Sequence, residues 1–183
     1  MKALFRKSIS IVLAVVVLTL ATDLVQAQRR RPPGTASLGE MNCQGINGGR
    51  YEVINEDIPI GLEIFRAVAY LQGSGSYSIG SQGQSVQVAC RLAASGEKPK
   101  FRTLNFAFGF SDKHKEDTYR KGSLVRLSIY KDGNFAEYRD VTFGQKLVWP
   151  INVANVRSIA LEAECKRTSQ YCPPLYFYQD ILE

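Results

Sequence analysis

Side chains able to do acid–base or nucleophilic work are sparse in this 183-residue chain. Its single histidine, His114, lies in "SDKHKEDTYRKG", close to Glu116 and Asp117. A histidine base needs a nucleophile within hydrogen-bond reach and a third group to orient it. A run of lysines and acids describes a solvated loop instead. No G-x-S-x-G element, whose sharp turn would present a serine, occurs in the chain. Glycoside cleavage needs two carboxyl groups facing each other across a bond, and neighbouring acids in a charged loop are placed for water. The titratable residues therefore argue against an enzyme.

The remaining reactive groups are Cys43, Cys90, Cys165 and Cys172. Their spacings do not form paired C-x-x-C elements, and one histidine cannot complete a zinc set. An even number of cysteines in an exported chain points to disulfides, with three possible connectivities. Six residues separate Cys165 from Cys172, at what reads as the head of a strand pair. That favours a Cys165–Cys172 bridge and leaves Cys43 for Cys90.

The case for export comes from the N-terminus. "MKALFRK" carries Lys2, Arg6 and Lys7, an apolar run follows, and "LVQA" puts Val25 and Ala27 at the small-residue positions a signal peptidase reads. The apolar run, residues 9–21, is 13 positions long and includes Ser10 and Thr19. A membrane-spanning helix needs roughly 20. A signal peptide over residues 1–27, cleaved after Ala27, is the expectation. No later segment is apolar enough to span a bilayer as a helix.

Charge then has to be located. The chain carries 23 Lys+Arg against 17 Asp+Glu. Without residues 1–27 the excess falls to four, and Arg29, Arg30 and Arg31 supply three of these. The remainder is nearly neutral, which excludes the basic footprint of a nucleic-acid-binding domain. Residues 28–41 read as a short basic flexible arm, and 42–183 as one domain long enough to bury a core.

Alternation of period two dominates that domain. "SVQVACRLA" puts Val86, Val88, Cys90 and Leu92 on one face, and "RTLNFAFGF" does the same with Leu104, Phe106, Phe108 and Phe110. Val125, Leu127 and Ile129 alternate next, followed by Ile159, Leu161, Ala163 and Cys165. The terminal "LYFYQDIL" puts Leu175, Phe177 and Ile181 on one face, with Tyr176 and Tyr178 on the other as an outer stripe. Asp132-Gly133 between two alternating runs predicts a hairpin, because a type I′ turn needs positive φ at both central residues. Pro150 in "QKLVWPINV" predicts an edge strand, since proline cannot donate to a ladder. "IPIGLEIFRAVAYL" fits a strand or a helix and leans to strand. Residues 73–85 read as a short exposed strand around Tyr77 and Ile79. One-sided alternation and many turn clusters predict an all-β antiparallel β-sandwich.

From residue 86 to 182 the order of features resembles the carbohydrate-binding jelly-roll module called NPCBM, among the galactose-binding-domain-like sandwiches. The matching pieces are Gly109 with Asp112, then Tyr130-Lys131-Asp132-Gly133, then Val153-Ala154-Asn155-Val156 leading into Ile159 and Leu161. The Cys165/Cys172 pair and the chain before Val86 depart from that pattern.

The resemblance implies a jelly roll, and sugar binding as its task. Sugar binding needs an aromatic platform for C–H faces and planar polar groups for hydroxyls. Tyr119 and Tyr138, near charged residues, and Trp149, the only tryptophan, are the candidate platforms; Trp149 also reads as a core plug. Asp112 is a candidate ligand for a structural Ca²⁺, with loop capping as its commoner role. No other cofactor is implied. The expectation is a secreted or periplasmic, non-enzymatic module that binds carbohydrate at the cell envelope or outside the cell. The alternative is a structural component of the same fold that docks on an envelope protein.

Overall fold

The computed structural model describes residues 31–75, 77–114 and 120–183, and its compact unit runs from Gly34 to Glu183. Eleven strands are present among the described residues: β1 (Ala36–Ser37), β2 (Asn42–Ile46), β3 (Gly49–Ile60), β4 (Glu63–Gly73), β5 (Ser85–Arg91), β6 (Thr103–Gly109), β7 (Leu124–Lys131), β8 (Asn134–Thr142), β9 (Leu147–Asn152), β10 (Ser158–Arg167) and β11 (Leu175–Leu182). One sheet has the order β3-β4-β11-β6-β9, with β1 also on β11, and the other β2-β5-β10-β7-β8. Every ladder pairing is antiparallel. The chain is an antiparallel β-sandwich, and its alternating residues supply both inner faces.

Leu104, Phe106, Phe108 and Phe110 are all fully buried, as are Val125, Leu127, Ile129, Ile159, Leu161 and Ala163. Phe177 enters from β11, with its ring centroid 4.9 Å from that of Phe106 and 5.7 Å from that of Phe108. Asp132 and Gly133 have φ of 48° and 81°, as the β7–β8 turn requires. The Asp132 carboxylate accepts from the backbone N–H groups of Arg157 and Ser158, tying the hairpin to the start of β10. Pro150 lies on β9, the sheet edge.

Four expectations need correction. Ile181 was assigned inward by simple alternation, but a register shift between Phe177 and Gln179 inverts the rest of β11. Asp180 and Leu182 point inward instead, and Ile181 is only partly buried. The segment read as a strand around Tyr77 and Ile79 is a loop with one isolated bridge, Gly80 to Cys172. The flexible arm was expected to reach Met41, yet β1 pairs with the end of β11 and Leu38 is fully buried. A carboxylate buried inside the fold fixes this segment: Asp180 accepts from Ser37 Oγ at 2.7 Å, Gly39 N at 3.2 Å and Tyr51 Oη at 3.0 Å. Finally, "IPIGLEIFRAVAYL" is extended as read, but as two strands that reverse at Gly61 (φ 65°) and Leu62.

That β3–β4 hairpin leaves the sheet partway along. β4 pairs with β11 only from Ala69 to Leu71, and β1 takes the vacated edge farther on. The far half of the hairpin packs Ile58, Ile60 and Ala67 with Tyr176 and Tyr178 on the outer face of the sheet. Gly109 permits this approach, since a Cβ there would meet Ile60 Cγ2 at 3.2 Å and the Gln145 carbonyl at 2.6 Å. The outer tyrosine stripe is thus partly roofed by the chain's own hairpin.

Candidate functional site

The β4–β5 loop, the β6–β7 connection and the β10–β11 loop come off the same end of the sandwich. There they enclose a cleft of about 350 Å³ lined by Tyr77, Ser78, Gly80, Gln84, Arg120 and Tyr171. Tyr77 and Tyr171 remain 67% and 49% exposed, so their rings are available to a ligand. Hydrogen bonds and burial tie both walls to the sandwich. Ile79, two residues beyond Tyr77, is buried and anchors that loop in the core. Ile79 N donates to the Cys172 carbonyl and Cys172 N to the Gly80 carbonyl, both at 2.9 Å. Lower down, Gly83 N donates to the Cys165 carbonyl at 2.7 Å and Cys165 N to the Gln84 carbonyl at 2.9 Å. Arg120 closes the third side by donating from Nη2 to the Tyr77 carbonyl at 2.9 Å.

Gln84 Oε1 accepts from Ser81 N at 2.8 Å, which leaves its NH₂ as a donor at the cleft. Gly80 has φ 131°, a conformation that favours glycine, and a Cβ there would displace the Gln84 amide, whose Oε1 would lie 2.7 Å away. Behind the cleft the aromatic series continues on the outer sheet face. The Tyr70 ring centroid is 6.3 Å from that of Tyr77 and 5.9 Å from that of Tyr176. Tyr70 Oη donates to the Glu52 carboxylate. Burial, and then that carboxylate, pushes the Tyr70 phenol well above its ordinary value; burial raises Tyr176 as well. Beside them Gln72 is buried, with Nε2 directed to Tyr70 Oη and Oε1 without a hydrogen-bond partner.

A second cavity of about 380 Å³ shares Gly80 and Gln84 with the first and is also lined by Asn47, Gly48, Ser74 and Ser85. The two together offer aromatic faces at one side and amide, hydroxyl and backbone groups at the other. Such surfaces bind a polar ligand that also carries apolar C–H faces. Among the described residues, the side chains lining the two cavities are tyrosine, serine, asparagine, glutamine, arginine and aliphatic groups.

The residues singled out from sequence are scattered. Glu116, Asp117 and Tyr119 lie outside the described residues, as does the His114 side chain. Trp149 is only 2% exposed and seals the sandwich edge. Its ring packs near Phe108 and under the Arg139 guanidinium at 4.8 Å, and its Nε1 donates to Glu137 Oε2 at 2.9 Å. This corrects its assignment as a platform: a ring covered on its faces cannot stack on a sugar. Tyr138 is 44% exposed on the outer face of β8, but the Arg126 guanidinium sits 3.9 Å from its ring centroid. Asp112 begins a short 3-10 turn and has one buried oxygen without a partner. Among the described residues no group of three or more His, Cys, Asp or Glu side chains converges around it. Both disulfides form as expected, Cys43–Cys90 directly across the β2–β5 ladder and Cys165–Cys172 across the β10–β11 loop. Sequence reasoning missed Tyr171 and did not connect Tyr77 to a site. The available signals were a tyrosine inside a Gly/Ser tract and another beside a cysteine.

No protein-family model and no curated protein matches the chain. Solved structures do. The CBM51 module of a GH95 protein from Clostridium perfringens, in complex with methyl-galactose, aligns over 81% of this chain and 99% of its own, at 10% identity and TM-score 0.58. A CBM51-2 and INT structure from Clostridium perfringens ZmpB, in complex with GlcNAc, aligns over 81% of this chain at 12% identity and TM-score 0.57; this chain spans 31% of it. The tandem CBM51 modules of a family 98 glycoside hydrolase from Streptococcus pneumoniae align over 83% of this chain and 48% of their own, at 8% identity and TM-score 0.58. At these identities the shared property is the sandwich fold.

Proposed function

We propose that this chain is an exported, non-enzymatic carbohydrate-binding module whose ligand occupies the cleft between Tyr77 and Tyr171. The observation that carries this reading is the pairing of two exposed tyrosine rings with the Gln84 amide in one cleft. Ring faces match the C–H faces of a pyranose, and planar donors match vicinal hydroxyls. Fold neighbours solved with methyl-galactose and GlcNAc support the ligand class, and make a neutral hexose or N-acetylhexosamine the first candidate. The basic and apolar N-terminal run supports export, and two disulfides accord with an oxidising compartment. The decisive experiment is a glycan array probed with the chain purified from an exporting host, beside Tyr77→Ala and Tyr171→Ala. Retention of one glycan class by the parent and its loss in both variants is the expected result. Equal retention by all three removes the cleft from the reading.

A second reading, docking on an envelope protein, draws on one feature. Leu62 and Ile64 at the tip of the β3–β4 hairpin, and Val148 on β9, are large apolar side chains left in solvent. An array without any retained glycan, together with a protein that co-purifies and is lost on Leu62→Asp, favours this alternative.

A further inference from the structure

We propose that the ligand spans both cavities at the loop end, so that the recognised unit is a disaccharide or longer rather than a single terminal sugar. This rests on the carbohydrate-binding reading of the cleft. A pyranose with its hydroxyls displaces about six waters, roughly 180 Å³ at ~30 Å³ each. The two cavities, about 350 and 380 Å³, are each roomy for one ring, and they meet at Gly80 and Gln84. One sugar leaves one of them to water.

The two cavities differ in chemistry, as neighbouring subsites for a chain would. The first binds through ring faces, with Tyr77 and Tyr171. Among the described residues the second is lined by no aromatic side chain and offers hydroxyl and amide groups over the buried Ile79 and Val86. Asn47 donates from Nδ2 to Gln87 Oε1 at 3.3 Å, which leaves its Oδ1 to accept from a ligand hydroxyl. Ser74 spends its backbone N–H on the Gly48 carbonyl at 2.6 Å and keeps its hydroxyl for other partners. Gly48, at φ 72°, keeps this side open, because a Cβ there would come within 3.1 Å of Ser74 Oγ. Gln84, common to both cavities, is placed to contact the linkage between the two units.

The test is calorimetric titration of the full exported chain with methyl galactoside and N-acetylglucosamine, against lactose, N-acetyllactosamine and chitobiose. At least one disaccharide is expected to bind ten-fold or more tightly than its own monosaccharide. Asn47→Gly, which keeps the positive φ without strain, combined with Ser74→Ala should erase that gain. Tyr77→Ala should weaken both monosaccharide and disaccharide binding. Monosaccharides that bind as tightly as every disaccharide, or a gain that survives the double variant, overturn the two-unit ligand and leave the carbohydrate reading standing. Failure of the parent to bind any of the five sugars overturns both.

Discussion

Gly80 and Cys172, 92 positions apart in sequence, face each other as an isolated antiparallel bridge, and this contact helps join the two walls of the cleft. Cys172 is in turn bonded to Cys165, whose backbone pairs with Gly83 and Gln84. The small disulfide therefore acts as the strut of the site, while Cys43–Cys90 pins the edge strand β2.

The two bridges should separate stability from binding. On the chain-entropy account, losing the 47-residue closure of Cys43–Cys90 costs about 4 kcal/mol, and losing the 7-residue closure of Cys165–Cys172 about 2.5 kcal/mol. Urea unfolding of the paired Cys→Ala variants should show that order. Sugar affinity should show the reverse, with a loss of ten-fold or more only for the Cys165–Cys172 pair. Equal affinity in both variants contradicts the strut.

Tyrosine and tryptophan should likewise part company. Tyr77→Ala and Tyr171→Ala should cut sugar binding ten-fold or more with the melting temperature nearly unchanged, because both rings are solvent-exposed. Tyr138→Ala should leave binding intact. Trp149→Ala should cost about 3–5 kcal/mol of stability and leave Glu137 without its indole donor. Paired thermal melts and titrations distinguish these outcomes.

The N-terminal segment should depend on one carboxylate. Asp180→Ala strips the acceptor from Ser37 Oγ, Gly39 N and Tyr51 Oη. Orphaned donors in such a site make the loss about 3 kcal/mol. Hydrogen exchange should accelerate first at residues 36–40. Unchanged protection there means that burial of Leu38 alone holds the segment.

Acid should weaken the fold through the outer face of the second sheet. Arg126 donates two hydrogen bonds to Asp140, at 2.8 and 2.9 Å, and holds its carboxyl below the ordinary range. Burial pushes Glu162 up, but hydrogen bonds from Tyr130, Gln87 and Ser85 outweigh it and the net shift is downward. A carboxyl depressed in the fold contributes stability above its unfolded pKa of about 4, and that contribution is lost as pH falls through the folded value. Stability should decline below about pH 4, and less steeply in Arg126→Gln and Tyr130→Phe. At the other end, burial and the Asp180 charge raise the Tyr51 phenol. The stability it contributes is complete below pH ~10 and is lost above it. Urea midpoints across the pH range check both limbs.

The sequence by itself determined what local periodicity can carry. Alternation from Leu104 to Phe110 and from Ile159 to Cys165 named the inner faces, because side chains on a strand change sides at every residue. Asp132-Gly133 announced its hairpin, because few other dipeptides accept two positive φ angles. The short spacing of Cys165 and Cys172 made their bridge legible. Tertiary structure alone decided the rest. The β11 bulge that turned Asp180 inward and Ile181 outward answers to neighbouring strands, not to its own pattern. Trp149 is covered because β8 and β9, from different sheets, meet at one edge. Tyr77 and Tyr171 became one site only when ladder registers brought Gly80 to Cys172. A cleft made by loops far apart in sequence leaves no periodic trace in any one of them, so its existence is a property of the stacked sheets.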